Sequence, residues 1–190
     1  KINGLMPLLI TARSLGYKKI IIPSDNAFEA SFIEGITAYG VSNLREVVGH
    51  FLIEEPRRIP EIAKQNFEEV KSDRTYPNDF CYVRGQVAAK RAMEIAAAGG
   101  HNIMMIGPPG AGKTMLARRM PSILPPMSME EALETTKIHS VAGKLGTHRG
   151  LMRQRPFRAP HHLASPVALI GGGRNPQPGE VSLAHNGVLF

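Results

Sequence analysis

The sequence predicts an α/β protein in two parts, and three observations lead there. Across the first 54 residues, helix-like and strand-like runs alternate. Farther along, a glycine loop stands between an apolar run and a helix-forming run. Between those regions, residues 55–79 turn charged and proline-punctuated, the composition of a linker between domains.

Leu5 to Leu15 carries apolar residues at helical spacing and stops at Gly16, which suits the left-handed geometry beyond a helix end. Lys18 to Ile22 reads as a strand closed by Pro23. Ser24 then caps a helix through Glu34 that ends at Gly35. Ile36 to Val41 is the second strand, and Ser42 caps a third helix to about Ile53. This order suits a parallel or mixed sheet covered by helices. Asp25, Glu29 and Glu34 share one predicted helix, where solvated charges are the expectation. In the linker, Pro56, Pro60 and Pro77 flank a charged segment, Glu61 to Lys71, that reads as one exposed helix.

The second part begins near Phe80. Gly85 to Ala98 is predicted helical, terminated by Gly99 and Gly100. Asn102 to Ile106 reads as a buried strand, with Met104 and Met105 as core packing. Gly107-Pro108-Pro109-Gly110-Ala111-Gly112-Lys113-Thr114 follows, then a helix from Met115 to Met120 that stops at Pro121. Strand, glycine loop and helix turn backbone N–H groups toward an anion, and the glycines let the chain wrap it without Cβ clashes. The spacing G-x-x-x-x-G-K-[ST] places Lys113 to reach β- and γ-phosphates and the Thr114 hydroxyl to hold Mg²⁺. The reading is a site for a nucleoside triphosphate. Beyond it, Ser128-Met129-Glu130-Glu131 is a capping box for a helix to about Thr136, and Val167 to Ile170 is the clearest later strand. Gly187 to Phe190 looks like the start of another strand.

Composition narrows the classes. In 190 residues, 43% hydrophobic, no window approaches the ~20 apolar residues of a membrane span. No signal peptide is visible at the start. The single cysteine, Cys81, excludes an internal disulfide and suits a reducing cytoplasm. A chain that starts at Lys1 and ends on an apolar run reads as a piece of a longer protein.

The net charge of +7 is uneven. Thr135 to Gly179 holds seven basic residues (Lys137, Lys144, Arg149, Arg153, Arg155, Arg158, Arg174) and no acid. Such a stretch marks either a polyanion partner or arginines paired with acids elsewhere in the fold. His161 and His162 make poor partners for one metal ion, because adjacent residues in a strand face opposite ways. They read as a phosphate, DNA or subunit contact, or as hydrogen-bonded loop histidines. Thr147, Ser165 and Ser182 have no neighbouring base to make a nucleophile. After Thr114 the acids are Glu130, Glu131, Glu134 and Glu180, none of them behind an apolar strand. The acidic pair that hydrolysis requires is expected just past Phe190, so binding should exceed turnover.

Several segments carry a family resemblance: Val83-Arg84-Gly85-Gln86, Ala96 to Asn102, the phosphate loop, Arg155 to His162, and Gly171-Gly172-Gly173 through Pro178-Gly179-Glu180 to Phe190. Residues 80–190 closely resemble the magnesium-chelatase-like branch of the AAA+ ATPases. Residues 1–54 look like the end of a Lon-protease-like domain of the ribosomal-S5 superfold. That pairing is the layout of the ComM/YifB family. The fold class implied is α/β: the first part of a P-loop AAA+ domain, preceded by a small Lon-like segment.

By this resemblance Val83 and Gly85 help form an adenine pocket, Gly107 to Thr114 hold ATP, and Lys113 and Thr114 serve catalysis, Thr114 through Mg²⁺. The Arg155 to Gly173 region looks like an inserted hairpin aimed at the pore of a ring, which makes Arg153, Arg155, Arg158, His161 and His162 candidate DNA or pore contacts. The family implies a cytoplasmic homo-oligomeric ring, a hexamer, driving DNA branch migration in natural transformation. Two alternatives stand: a magnesium chelatase motor subunit, and a nucleotide-switched interaction module. Lon peptidases carry a catalytic lysine a few residues after the glycine that matches Gly4. Leu5, Met6, Pro7 and Leu8 stand there instead, so peptidase activity is not expected.

Overall fold

A computed structural model describes residues 1–52, 58–66, 76–145, 150–173 and 176–190. The chain packs as two compact units, one of Lys1–Ser72 with Ala132–Met152, the other of Asp73–Glu131 with Arg153–Phe190. The units are therefore not contiguous in sequence, and the division falls within one helix. Among the described residues no helix is long and apolar enough to cross a membrane.

The first unit opens with α1 (Leu5–Ser14), whose Leu5, Met6 and Leu9 are buried; Met6 is 0% exposed. Strands β1 (Lys19–Pro23) and β2 (Thr37–Val41) pair in parallel, Lys19 opposite Thr37 and Pro23 opposite Val41. Between them the predicted long helix is only a 3₁₀ turn, Ser24–Asn26, and one turn of α2 (Ala27–Ala30). Ser24 caps nothing; its hydroxyl meets that of Ser42. Helix α3 (Leu44–Phe51) has the expected capping chemistry one residue later than predicted. Asn43 Oδ1 accepts from the Glu46 N–H, and Glu46 reaches back to the Ser42 N–H.

Two further expectations fail in this unit. Glu29 is buried, not solvated: it accepts hydrogen bonds from Asn26 Nδ2 (2.8 Å) and the Ser140 hydroxyl (3.1 Å). Asn26 is a local partner, but Ser140 lies 111 residues away, which no local pattern could reveal. The predicted helix from Glu61 to Lys71 is also absent over its described part. Glu61 forms an antiparallel bridge to Tyr39, and the Ile62 N–H donates to the Ala38 carbonyl. Lys64 Nζ then donates to the carbonyls of Ala30, Ile33 and Ile36, tying the segment down. Residues 67–71 of that call, the end of the third helix at Ile53, and Thr147, Arg149 and Arg174 lie outside the described residues.

The second unit is centred on α4 (Val87–Gly99) and α5 (Lys113–Ile123). Phe80, Val83, Met93, Ala96, Ala97, Leu116 and Met120 form its buried cluster. Pro121 does not stop α5. The helix runs on through Ser122 and Ile123, and the Ser122 hydroxyl donates to the Arg119 carbonyl and accepts from the Phe80 N–H. Helix α6 (Met129–Val141) starts from the predicted box: Ser128 Oγ accepts from the Glu131 N–H and Glu131 accepts from the Ser128 N–H. It continues past Thr136.

The remaining elements are short. Strand β3 (Phe157–Arg158) pairs in parallel with β6 (Val188–Leu189), as the apolar run before Phe190 suggested. The expected strand at Val167 is a helix, α7 (Pro166–Ile170). Ser165 caps it by accepting from the Ala168 N–H, and Pro166 occupies its first turn, where a missing N–H does no harm. Strands β4 (Gly171–Gly172) and β5 (Gln177–Pro178) pair antiparallel, followed by α8 (Glu180–Leu183).

Candidate functional site

Residues Gly107 to Gly112 form a loop that delivers the chain into α5 at Lys113. Gly110 (φ 80°) and Gly112 (φ 86°) both take left-handed backbone, which a Cβ would strain. These angles curl the loop so that it opens a helix N-terminus, where backbone N–H groups lack intrahelical partners. Pro108 and Pro109 carry no N–H. The Ala111 N–H turns inward to the Pro108 carbonyl at 3.2 Å, closing the loop on itself.

Lys113 stands on this loop. Its Nζ donates to the carbonyls of Gly107 (2.7 Å) and Pro108 (2.8 Å), which fixes the ammonium beside the cradle. Thr114 is exposed one residue farther along. Pro109, Gly110, Gly112, Lys113, Thr114 and Met115 line a hollow of about 360 Å³. The set is chemically matched to a polyphosphate: glycine N–H donors, a helix start, one ammonium and one hydroxyl able to bind a hard cation.

The strand expected before the loop differs from its prediction. Asn102 to Ile106 has no strand partner among the described residues; Met104 is 83% and Ile106 87% exposed. Of the two methionines read as core packing, only Met105 reaches the buried cluster. An extended run is buried on both faces only where neighbouring strands flank it. A cavity of mixed polar and apolar lining, about 380 Å³, lies alongside, touching Met93, Asn102, Ile103, Met105, Lys113 and Val188.

Val83 and Gly85, the expected base pocket, lie just ahead of α4. The Val83 side chain is buried in the core, its N–H donates to Phe80, and its carbonyl accepts from Lys90 Nζ. Gly85 is exposed and left-handed, and Tyr82 and Val87, three and two residues away in sequence, are exposed as well. Gln86 donates through Nε2 to the Ala111 carbonyl of the loop at 3.3 Å, a tie invisible in a linear motif.

The arginines expected at DNA or the pore are arranged differently. Arg155 is 12% exposed and pairs with Glu131 at 2.9 Å, while also donating to the carbonyls of Pro125 and Asn186. Arg158 and Glu180 form a two-pronged ion pair, and those hydrogen bonds hold the guanidinium above its ordinary pKa despite partial burial. Both charges are thus neutralised within the unit, the second of the two readings that the acid-free stretch left open. Arg153 is half-buried. His161 and His162 are exposed in a turn, not a strand, with ring centroids 4.2 Å apart, so they share a face after all. Among the described residues no group of three potential metal ligands forms.

An α/β unit whose glycine loop opens a helix and holds a lysine on its own carbonyls defines the class of protein. Residues 79–190 match the family described as magnesium chelatase, subunit ChlI. Competence protein ComM of Haemophilus influenzae is 44% identical over 191 residues, covering 100% of this chain and 36% of its own. Uncharacterized protein YifB of Escherichia coli is 44% identical over 177 residues, 91% of this chain and 33% of its own. A shorter stretch of 63 residues, 33% of this chain and 9% of the relative, is 41% identical to an archaeal Lon protease of Halobacterium salinarum. The chain belongs to the magnesium-chelatase-like AAA+ ATPases of ComM/YifB type. It spans about a third of the length of those two curated relatives.

Proposed function

We propose that this chain carries the ATP-binding loop of a ring-forming motor that acts on DNA. The observation that carries the reading is the loop itself: left-handed Gly110 and Gly112 leading into α5, with Lys113 held beside them. In this reading the N–H groups of Gly110, Gly112, Lys113 and Thr114 receive the phosphates, Lys113 neutralises them, and Thr114 binds Mg²⁺. Bound Mg²⁺ would draw charge from the β- and γ-phosphate oxygens. Gly85 and its neighbours border the base.

The DNA assignment is supported by the likeness to a protein named for competence. With Arg155 and Arg158 committed to Glu131 and Glu180, we assign the contact to the turn bearing His161 and His162, with Arg153 nearby in sequence. A hexameric ring, branch migration and a cytoplasmic setting complete the reading. The chelatase alternative is weaker, because the likeness to ComM covers the whole chain, including the residues ahead of 79. Residues 1–54, read as Lon-like, serve as a scaffold; Met6 and its neighbours offer no lysine.

The test is ATP hydrolysis by the full-length parent with and without branched DNA at moderate salt. Strong stimulation by branched DNA is expected. Turnover indifferent to DNA would move the function to protein remodelling or metal insertion.

A further inference from the structure

Gln86 occupies the residue before α4 with φ 52° and ψ 37°, a left-handed conformation that glutamine adopts only against strain. From that position a polar side chain usually caps its own helix, yet Gln86 makes no such bond. Its amide instead crosses 25 residues of sequence to donate to the Ala111 carbonyl at 3.3 Å. The left-handed Gly85 ahead of it completes the turn that aims the side chain this way.

The chosen carbonyl matters. The Ala111–Gly112 peptide is trans, so its C=O and its N–H point in opposite directions. Holding the Ala111 oxygen toward Gln86 aims the Gly112 N–H to the other side of the peptide plane. The loop has few donors to lose: Pro108 and Pro109 have none, and the Ala111 N–H is engaged with Pro108. We propose that Gln86 is a positioning residue for phosphate binding, locking the Ala111–Gly112 peptide so that the Gly112 N–H faces the phosphates of a nucleotide. The proposal rests on the nucleotide-binding reading above. It gives Gln86 a role through the loop, not through contact with the nucleotide.

The experiment uses the full chain, a fluorescent ATP analogue, and the variants Gln86→Gly and Gln86→Met. Glycine suits the left-handed backbone, whereas methionine keeps the side-chain length and removes the donor. Both variants should bind the analogue about 5- to 10-fold more weakly, the scale of one hydrogen bond. The Gly variant should melt no lower than the native chain, and in both the Ala111 carbonyl carbon resonance should move as its hydrogen bond is lost. Equal affinity in the native chain and both variants overturns the proposal, as does an unmoved Ala111 resonance. Failure of the native chain to bind the analogue overturns the nucleotide reading, and this proposal with it.

Discussion

Arg155 Nη2 lies 2.9 and 3.1 Å from the two carboxylate oxygens of Glu131, the residue that also closes the capping box at the start of α6. One side chain therefore joins a helix cap to the chain just ahead of β3, and the same guanidinium satisfies the Pro125 and Asn186 carbonyls. Truncating Arg155 leaves three acceptors short of a donor. Arg155→Ala should destabilise the second unit by about 2–3 kcal/mol. For a chain of this size the melting temperature should fall by about 5–10 °C. A variant that melts with the native protein would show that these bonds are readily replaced by water.

Lys113→Ala should remove most triphosphate affinity, at least about 30-fold, because an ammonium bound to phosphate is worth more than a neutral hydrogen bond. Thr114→Ala should instead leave metal-free binding near native and blunt the gain that Mg²⁺ brings. Both are read by titration with a fluorescent analogue, with and without Mg²⁺. Unchanged affinity in Lys113→Ala would remove the phosphate-loop assignment.

For DNA, the two kinds of basic residue should separate. Replacing His161 and His162 together with alanine should weaken DNA binding by the full-length protein several-fold with little change in melting. Replacing Arg158 should chiefly lower stability, since its charge is already matched by Glu180. Salt-dependent binding curves and melting curves on the same variants make the comparison. DNA binding that tracks Arg158 and ignores the histidines would reverse the assignment.

Asp79 gives a pH-dependent prediction. It accepts the Cys81 N–H at the head of the Phe80–Tyr82 turn, and that bond holds its carboxyl below the ordinary value of 3.8. A carboxyl depressed on folding stabilises the protein above its unfolded pKa, and the contribution fades as pH falls through the folded one. Asp79→Ala should therefore melt slightly below the native chain at pH 5–7. The gap should close toward pH 2–3. A gap independent of pH would exclude the ionised cap.

What the sequence disclosed and what it hid divide along one physical line. The Ser128–Glu131 box, Gly16 and the phosphate loop act over three to eight residues, so their chemistry is written locally. Glu29 was misread because its burial depends on Ser140, 111 residues away. The sequence leaves open whether Arg155 and Arg158 are paired, because their acids sit 24 and 22 residues off, outside the acid-free window. Val167 to Ile170 was a local error: the apolar run carries no clear period, and Ser165-Pro166 was the overlooked helix start. The left-handed turns of the loop follow from its glycines, whereas the tie to Gln86 is not written locally, because only the fold supplies its partner.

Pro108 and Pro109 have a last consequence. Each ring fixes one backbone angle whether or not the chain is folded around an anion. Two of the six residues from Gly107 to Gly112 thus have less conformational entropy to surrender on binding. Stiffness here is a thermodynamic asset set by covalent structure, and calorimetry should find nucleotide association with a small entropic penalty.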